Sequence, residues 1–239
     1  MDRFLQKKQF QRSMMYVADA NAALVEQLWA CPDELVDAGN KLVEKQCVRT
    51  TVRFSCEDEI FVVKRHRERS WRHFAKRFFS NSRAENCWSD TWYLIANGYP
   101  TPRPIAFCEN RMGPFRGNSW YAYEYISGTT FKDAATGNRN QRQLRDYVNK
   151  LVEIWALHRN LQINLTDGHP ANFIVDATGK MWVIDLDKLQ YLNSRTDVDD
   201  VLRRSFESTI RGVIGDRFVV EYALSQLESR FTDIARVAA

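Results

Sequence analysis

The sequence predicts an α+β protein with two lobes, a β-rich half followed by a mainly helical half. The chain has 239 residues, of which 44% are hydrophobic, so it is long enough to bury the core of a two-lobed domain. Short segments of alternating polar and apolar residues dominate the first half, whereas stripes of helical spacing dominate the second. We place the N-terminal lobe at residues 1–126 and the C-terminal lobe at residues 127–239.

Most elements of the N-terminal half are predicted to be strands. Its first thirty or so residues look mixed and partly helical. Alternating segments rich in β-branched residues then predict a meander of strands at 41–47, 48–54 and 59–64. A basic helix and a second helix at 82–97 follow, and Gly98 stands where a helix C-cap glycine is expected.

The remaining elements follow a proline-rich run at 99–104, which cannot be helical and is expected to be extended. Strands are predicted beyond it, then a long helix, a β-hairpin and a helical C-terminus. Their predicted bounds are 105–109 and 119–126 for the strands, 140–160 for the helix, 171–175 and 180–184 for the hairpin, and the last 50 residues for the helical end.

Composition excludes several classes of protein. A net charge of only +4, with 10 Gly and 6 Pro, excludes a disordered or low-complexity chain. No run of about 18 apolar residues is present, so we expect no membrane span, and the N-terminus does not look like a secretory signal. The five cysteines contain no C-x-x-C pair, which predicts reduced thiols in the cytosol.

Positive charge is concentrated in one segment, residues 64–83, which holds eight Lys or Arg and one acid. Trp71, Phe74 and Phe78 recur there at helical spacing, so the segment predicts a basic amphipathic helix. Such a helix suits an anionic membrane surface, a phosphorylated ligand or nucleic acid. The simpler alternative is a solvated helix whose aromatic stripe packs on the core.

Two carboxylates and a carboxamide flank the predicted hairpin. Asp167 and Asn172 precede its first strand, and Asp185 follows its second, so the hairpin should bring the three side chains together. Oxygen ligands of this kind suit Mg²⁺. With Lys64 ending an earlier strand, the spacing matches the protein-kinase catalytic loop and its metal-binding Asp. A loop of capping acids is the alternative.

The chain resembles the lipopolysaccharide core kinases, the family that phosphorylates 3-deoxy-D-manno-octulosonic acid (Kdo) or heptose. The resemblance covers roughly residues 41–206 and implies a two-lobed protein-kinase-like fold with a β-rich N-lobe and a small helical C-lobe. It rests on the motifs Val62-Val63-Lys64-Arg65, Ser82-Arg83-Ala84, Leu94-x₃-Gly98-Tyr99-Pro100-Thr101-Pro102-Arg103-Pro104-Ile105-Ala106, Tyr123-Glu124-Tyr125-Ile126-Ser127-Gly128, Thr166-Asp167 to Asn172, Ile184-Asp185-Leu186-Asp187-Lys188 and Leu202-Arg203-Arg204-Ser205-Phe206.

The resemblance also implies roles at the matched positions. Lys64 would contact the α- and β-phosphates of ATP, and Asp167 would accept the proton of the acceptor hydroxyl. Asn172 and Asp185 would hold Mg²⁺ in the C-terminal lobe, beside the catalytic loop. The hinge, whose backbone would bind adenine, would consist of Glu124, Tyr125 and Ile126.

The chain departs from the kinase pattern at several places. No Gly-x-Gly-x-x-Gly loop precedes Lys64, so an atypical turn near residues 45–51 would cover the phosphates. Cys87 stands where several relatives carry the helix carboxylate that pairs with the strand Lys, and the nearby candidates for that role are Glu85 and Asp90. No Ala-Pro-Glu motif follows Asp185, which does not suit a protein-substrate lobe.

Together these features predict an ATP- and Mg²⁺-dependent sugar kinase that phosphorylates Kdo or heptose of the lipopolysaccharide inner core. We expect it in the cytoplasm at the periphery of the inner membrane, where it would meet a lipid-linked sugar acceptor and an anionic membrane surface, and we expect no nucleic-acid partner. The candidate acceptor-binding residues are Arg65, Arg67, Arg72, Lys76, Arg77 and His169.

Two other functions remain open. A kinase for a small soluble molecule, such as an aminoglycoside or choline, shares the Asp-x₄-Asn and the later Asp. Such kinases usually carry an acidic pocket, which the basic segment argues against. A kinase-like binding module without catalysis is favoured by the missing glycine loop and by Cys87. The joint retention of Lys64, Asp167, Asn172 and Asp185 disfavours it.

Overall fold

The chain forms two compact units in the computed structural model. The first unit comprises Met1–Ala96 and Pro102–Tyr125, and the second comprises Asn97–Thr101 and Ile126–Ala239. The structure describes residues 3–45, 49–67, 81–112, 115–136, 140–193, 197–215 and 217–238. Most of the basic segment, and residues 46–48 of the turn expected to cover the phosphates, lie outside the described residues.

A seven-stranded antiparallel sheet dominates the first unit, with strand order β1-β2-β6-β7-β5-β4-β3. Three described helices accompany it. The strands are β1 (Phe4–Gln9), β2 (Arg12–Val17), β3 (Asn40–Lys45), β4 (Arg49–Cys56), β5 (Glu59–His66), β6 (Pro104–Met112) and β7 (Phe115–Glu124), and the helices are α1 (Ala22–Ala30), α2 (Pro32–Ala38) and α3 (Arg83–Ala96).

The predicted meander is present as β3, β4 and β5, and the helix predicted at 82–97 is present as α3. Gly98 adopts the left-handed conformation expected of a C-cap glycine, with φ of +75°. The N-terminal prediction misses the β1–β2 hairpin. Its first strand lies at the edge of the sheet and is mostly exposed, and its turn at Phe10-Gln11 carries no Gly or Asn, so neither usual hairpin signal is present.

Strand alternation places α2 and α3 on opposite faces of β5. Arg65 contacts α2, because its guanidinium binds Asp33 and Asp37 of that helix. Lys64, the residue just before it in the strand, must face the other side. Its cross-strand partner Tyr121 hydrogen-bonds to Thr91 of α3, so Lys64 shares a face with α3.

The second unit surrounds one long helix with short strands and further helices. Its three-stranded sheet has the order β11-β10-β8, and β9 pairs with β12. The elements are β8 (Gly128–Thr130), α4 (Phe131–Thr136), α5 (Gln141–Leu161), β9 (Ile163–Leu165), a 3₁₀ turn (Pro170–Asn172), β10 (Phe173–Asp176), β11 (Met181–Val183), a second 3₁₀ turn (Leu186–Lys188), β12 (Leu189–Tyr191), α6 (Val198–Arg211) and α7 (Arg217–Ala238).

Helix α5 supports the hairpin that carries the candidate site. Asn140 caps its N-terminus by accepting hydrogen bonds from two backbone N–H groups of the first turn. The fully buried ring of Trp155 lies 5.6 Å from that of Phe173 on β10 and 5.3 Å from that of Phe206 on α6. One aromatic side chain therefore joins the hairpin and α6 to the central helix. Within the described part of the chain, none of the helices combines the length and the hydropathy needed to span a bilayer.

His158 links α5 to the segment that precedes β6. Its side chain is completely buried, and its Nε2 lies 2.7 Å from the hydroxyl of Tyr99. Burial lowers the pKa of His158 to about 3, well below its usual 6.5. Between these two values the unfolded chain binds a proton that the native chain does not. The stabilising effect of the neutral imidazole is therefore complete above about pH 6.5 and is lost as the pH falls.

We therefore predict that stability falls on acidification by about 1.4 kcal/mol per pH unit below about pH 6 through this residue. His158→Gln should remove that component and give a shallower dependence, whatever its effect on stability at neutral pH. Urea unfolding at pH 7.5, 6.5, 5.5 and 4.5 measures both slopes. The two proteins should run parallel above pH 7, and parallel curves below pH 6 would contradict the prediction.

Candidate active site

The segment from Thr166 to Asn172, here called the Asp167 loop, is fixed at both of its ends. Thr166 donates its hydroxyl to the backbone oxygen of Lys188 at 3.1 Å. At the other end the backbone N–H of Asn172 donates to the oxygen of His169, and the Asn172 side-chain amide donates to the backbone oxygen of Asp167 at 2.9 Å. Asn172, which is predicted to bind metal, therefore connects the end of the loop back to Asp167.

The β10–β11 hairpin brings the predicted metal ligands to the same end. Phe173 pairs with Val183, and one step further the N–H of Ile184 donates to the oxygen of Asn172 at 2.8 Å. Asp185 follows directly in a left-handed conformation with φ of +66°, which costs free energy for a residue with a Cβ. The backbone therefore turns sharply at the carboxylate that is expected to bind metal.

Lys188 is the ionic partner of Asp167. Its Nζ lies 2.9 Å from Oδ2 of Asp167, and the two side chains are 58% and 33% exposed. At this exposure an ion pair contributes little to stability. Its effect is to orient the carboxylate, because one oxygen is held by the ammonium and Oδ1 takes no part in that bond.

Helix α6 supports the Asp167 loop from behind. The hydroxyl of Thr209 lies 2.7 Å from the backbone oxygen of Gly168 and 3.0 Å from that of Ser205. The approach is so close that a Cβ on Gly168 would lie 2.9 Å from the Thr209 hydroxyl. A residue larger than glycine would clash with Thr209 at this position, whereas glycine lets the loop backbone pack directly against the helix.

In the first unit, Lys64 is buried in the sheet. Only 3% of the residue is exposed, and its Nζ lies 5.4 Å from the centre of the Tyr123 ring. The aromatic face offers the ammonium a favourable electrostatic contact in a setting with little water. Helix α3 is tied to the same face, because Tyr121 donates to Thr91, which in turn donates to the backbone oxygen of Cys87.

The structure gives Glu85 a different partner from the one predicted. Glu85 forms an ion pair with Arg116, whose guanidinium also lies 3.2 Å from Glu109, a fully buried carboxylate. Arg116 thus joins α3 to β6 and β7, and this use of Glu85 does not favour a pairing with Lys64. Asp90, half-buried on the same helix, stays the predicted candidate.

Arg65, a predicted acceptor-binding residue, forms ion pairs with helix α2 instead. It is 4% exposed, and its guanidinium lies 3.0 Å from Asp33 and 2.9 Å from Asp37. A buried guanidinium held by two carboxylates is poorly placed to bind an acceptor, so the geometry disfavours that predicted role. Arg67 is exposed, and Arg72, Lys76 and Arg77 lie outside the described residues, so their acceptor-binding role stays a prediction.

Part of the predicted hinge backbone is already hydrogen-bonded. The N–H of Glu124 donates to the oxygen of Arg103 at 3.0 Å, and that of Tyr125 donates to the oxygen of Ile60 at 3.2 Å. Adenine binding by this segment would therefore use the carbonyl groups or the N–H of Ile126. Burial raises the pKa of Glu124, although the nearby Arg103 opposes the shift.

Sequence reasoning did not assign Lys188, Thr209 or the cavity beside Asp167. This open cavity of about 750 Å³ is bordered by the Asp167 loop, α6 and Lys132 of α4. Lys188 belongs to a motif that the sequence does show, so its position could have suggested a role. Thr209 lies 41 residues from the glycine that it supports, and no local pattern reports such a contact.

Comparison with known proteins shows which family the chain's sequence matches. The model of the lipopolysaccharide kinase (Kdo/WaaP) family matches residues 27–212, more than three quarters of the chain. No curated protein matches significantly. Among solved structures, a crystal structure of WbdD is similar at a TM-score of 0.52 and 17% identity, over 80% of this chain and 45% of that one. The chain thus spans less than half of that structure, and the likeness confirms the predicted kinase-like α+β fold alone.

The contact between Gly168 and Thr209 makes a testable prediction. Gly168→Ala should destabilise the second unit by about 1–3 kcal/mol, because the new methyl group overpacks against the Thr209 hydroxyl. Thr209→Ala should cost about 1 kcal/mol through the lost hydrogen bond. The double variant should be less destabilised than the sum, because removing the hydroxyl makes room for the methyl group.

Urea unfolding of the four proteins measures this coupling. Gly215→Ala is the matched control, since a Cβ at that exposed glycine meets nothing within 4 Å. It should leave the free energy of unfolding nearly unchanged. Strict additivity of the Gly168 and Thr209 substitutions would show that the two groups are not in contact.

Proposed function

The chain belongs to the lipopolysaccharide kinase (Kdo/WaaP) family, and we propose that it transfers the γ-phosphoryl group of ATP to a hydroxyl of Kdo or heptose in the lipopolysaccharide inner core. The observation that carries the proposal is the closure of the hairpin on the Asp167 loop. Through the bonds of Asn172 to Ile184 and to Asp167, one residue connects the candidate base with the strand that leads to Asp185.

In this proposal Asp167 is the base. Its carboxylate accepts the proton of the acceptor hydroxyl as that oxygen attacks the γ-phosphorus, and ADP leaves with the bridging oxygen. Lys188 holds Oδ2 of the carboxylate, which leaves Oδ1 for the hydroxyl. The hydrogen bond from Asn172 to the Asp167 backbone and the seat of Gly168 on Thr209 keep the loop in place, and positioning of this kind is a large part of phosphoryl-transfer catalysis.

The donor set suits Mg²⁺. Asn172 uses its amide nitrogen to bind the loop, so the amide oxygen is the atom suited to a cation, and Asp185 supplies a carboxylate. Both are hard oxygen donors of the kind that Mg²⁺ prefers. When bound, the ion would neutralise charge on the phosphates of ATP. Lys64 has the corresponding role for the α- and β-phosphates in this proposal.

We further propose that the protein acts at the cytoplasmic face of the inner membrane, on a lipid-linked acceptor. The support is the charge of residues 64–83, which concentrate eight cations in 20 residues. Each cation near an anionic lipid surface contributes about 1 kcal/mol to binding. Lys64 and Arg65 do not take part in this contribution, because both are buried and Arg65 is already paired with two carboxylates.

The direct test is phosphoryl transfer from radiolabelled ATP to a Kdo-containing lipid A acceptor. Asp167→Asn should reduce the rate by at least about two orders of magnitude, because the variant has the same shape but lacks the base. Asp146→Asn, which changes an exposed carboxylate on α5 of the same unit, should keep full activity. An Asp167→Asn protein that retains more than a tenth of the wild-type rate would exclude this role of Asp167.

The metal assignment has its own prediction. Asn172→Ala and Asp185→Asn should each raise the Mg²⁺ concentration that gives half-maximal activity, because each removes an oxygen donor or its charge. Asp146→Asn again provides the control, with an unchanged midpoint. Titration of activity against Mg²⁺ at saturating ATP decides the question, and unchanged midpoints in both variants would mean that these residues do not bind the metal.

A further inference from the structure

The cavity beside Asp167 has a lining that suits an anionic, polyhydroxylated ligand. Two hydroxyl side chains of α6, those of Ser205 and Ser208, line it together with the cations Lys132 and Arg204, whereas the hydroxyl of Thr209 in the same lining is already bonded to backbone oxygens. Among the described residues of its lining, Asp167 is the single acid, and its charge is paired with Lys188. The lining therefore has an excess of positive charge close to the candidate base.

The two cations are accessible to a ligand. Lys132 is exposed on α4, and the side chain of Arg204 is 71% exposed. Arg204 forms an ion pair with Asp200 one turn earlier on α6. Exposed pairs of this kind are weak, and a guanidinium has five N–H donors, so Arg204 can bind a second anion while it keeps its first partner.

Two polar groups of the lining are suited to sugar hydroxyls. His169 accepts the N–H of Ala171 at Nδ1, so in the neutral imidazole the hydrogen is on Nε2, which is then a donor. Asn164 is only 9% exposed, and its amide oxygen has no hydrogen-bond partner among the described residues. A buried acceptor without a partner is costly, and a hydroxyl group that reached it would relieve that cost.

We infer that this cavity is the acceptor-sugar site, and that Lys132 and Arg204 recognise a carboxylate on the sugar. The inference rests on the proposed kinase function and narrows its acceptor to an acidic sugar such as Kdo. A volume of about 750 Å³ lies within the usual range of small-ligand pockets and accommodates a sugar with its neighbouring residue. Acceptor recognition is thereby assigned to the helical unit that carries Asp167.

The test compares an acidic acceptor with its neutral ester. The acceptors are the methyl glycoside of Kdo and the methyl ester of the same glycoside, which lacks the negative charge. Lys132→Gln and Arg204→Gln remove one cation each. Arg203→Gln is the matched control, because Arg203 adjoins Arg204 on α6, is also exposed and ion-paired, with Glu228 as its partner, and does not line the cavity.

For wild type we expect the KM of the ester to be about tenfold above that of the acid, the usual effect of losing a charge-assisted hydrogen bond. Lys132→Gln and Arg204→Gln should each raise the KM of the acid by about the same factor. The KM of the ester and the KM of ATP should not change, and Arg203→Gln should behave as wild type. Equal KM values for acid and ester in wild type, or a KM for the acid that neither substitution alters, would overturn the inference.

Failure of the proposed function gives a different result, since wild type would then phosphorylate neither acceptor. In that case calorimetric titration with the same two glycosides tests the cavity without turnover. Binding of the acid that is weakened by Arg204→Gln and not by Arg203→Gln supports the acidic-sugar site. Absent binding, or equal binding by both variants, refutes it.

Discussion

The candidate site depends on the register of a hairpin with two short strands. Phe173 opposite Val183 fixes the step at which Ile184 binds Asn172, and that step determines which residues lie at the end of the hairpin. Phe173 and Val183 are both fully buried, and Phe173 packs on Trp155. A slip of one residue would turn these side chains to the opposite face, so burial of the hydrophobic side chains maintains the register. Packing on α5 therefore selects the register, and the hydrogen bond between Ile184 and Asn172 forms in that register and fixes where Asp185 follows.

The same alternation explains why a cluster of cations in the sequence is not one surface. Lys64 and Arg65 are neighbours in the chain, yet the period of two in β5 sends them to opposite faces. Arg65 is satisfied by two carboxylates of α2, and loss of either carboxylate would leave a buried charge poorly paired. Lys64 lies on the face of α3 and Tyr123. Arg67, the next cation along the chain, lies just beyond the end of β5 and is exposed.

Much of the fold could be predicted from the sequence where local periodicity is strong. The meander β3–β5, helices α3 and α5 and the β10–β11 hairpin all have clear patterns, and the hairpin alone implied the convergence of Asn172 and Asp185. The polar β1–β2 hairpin and the three-residue strands β8, β9 and β12 are too weakly patterned or too short to be recognised. Contacts between residues distant in sequence could not be predicted either. Those of Glu85 with Arg116 and of Gly168 with Thr209 form only when the tertiary structure brings the residues together.

Helix α6 contacts both the loop that carries the candidate base and the cavity proposed for the acceptor sugar, and it does so while its inner face packs in the core. Leu202, Phe206 and Ile210 are fully buried, and Phe206 lies against Trp155. A second stripe with helical spacing faces the cavity, formed by Val201, Arg204, Ser205 and Ser208. Thr209, between the stripes, supports Gly168. Because one helix both supports the Asp167 loop and lines the proposed acceptor cavity, it couples the position of the base to the position of a bound sugar. Burial of the inner stripe therefore fixes the position of the outer stripe. A substitution in the core beneath α6 would move the cavity lining and the support of the Asp167 loop together.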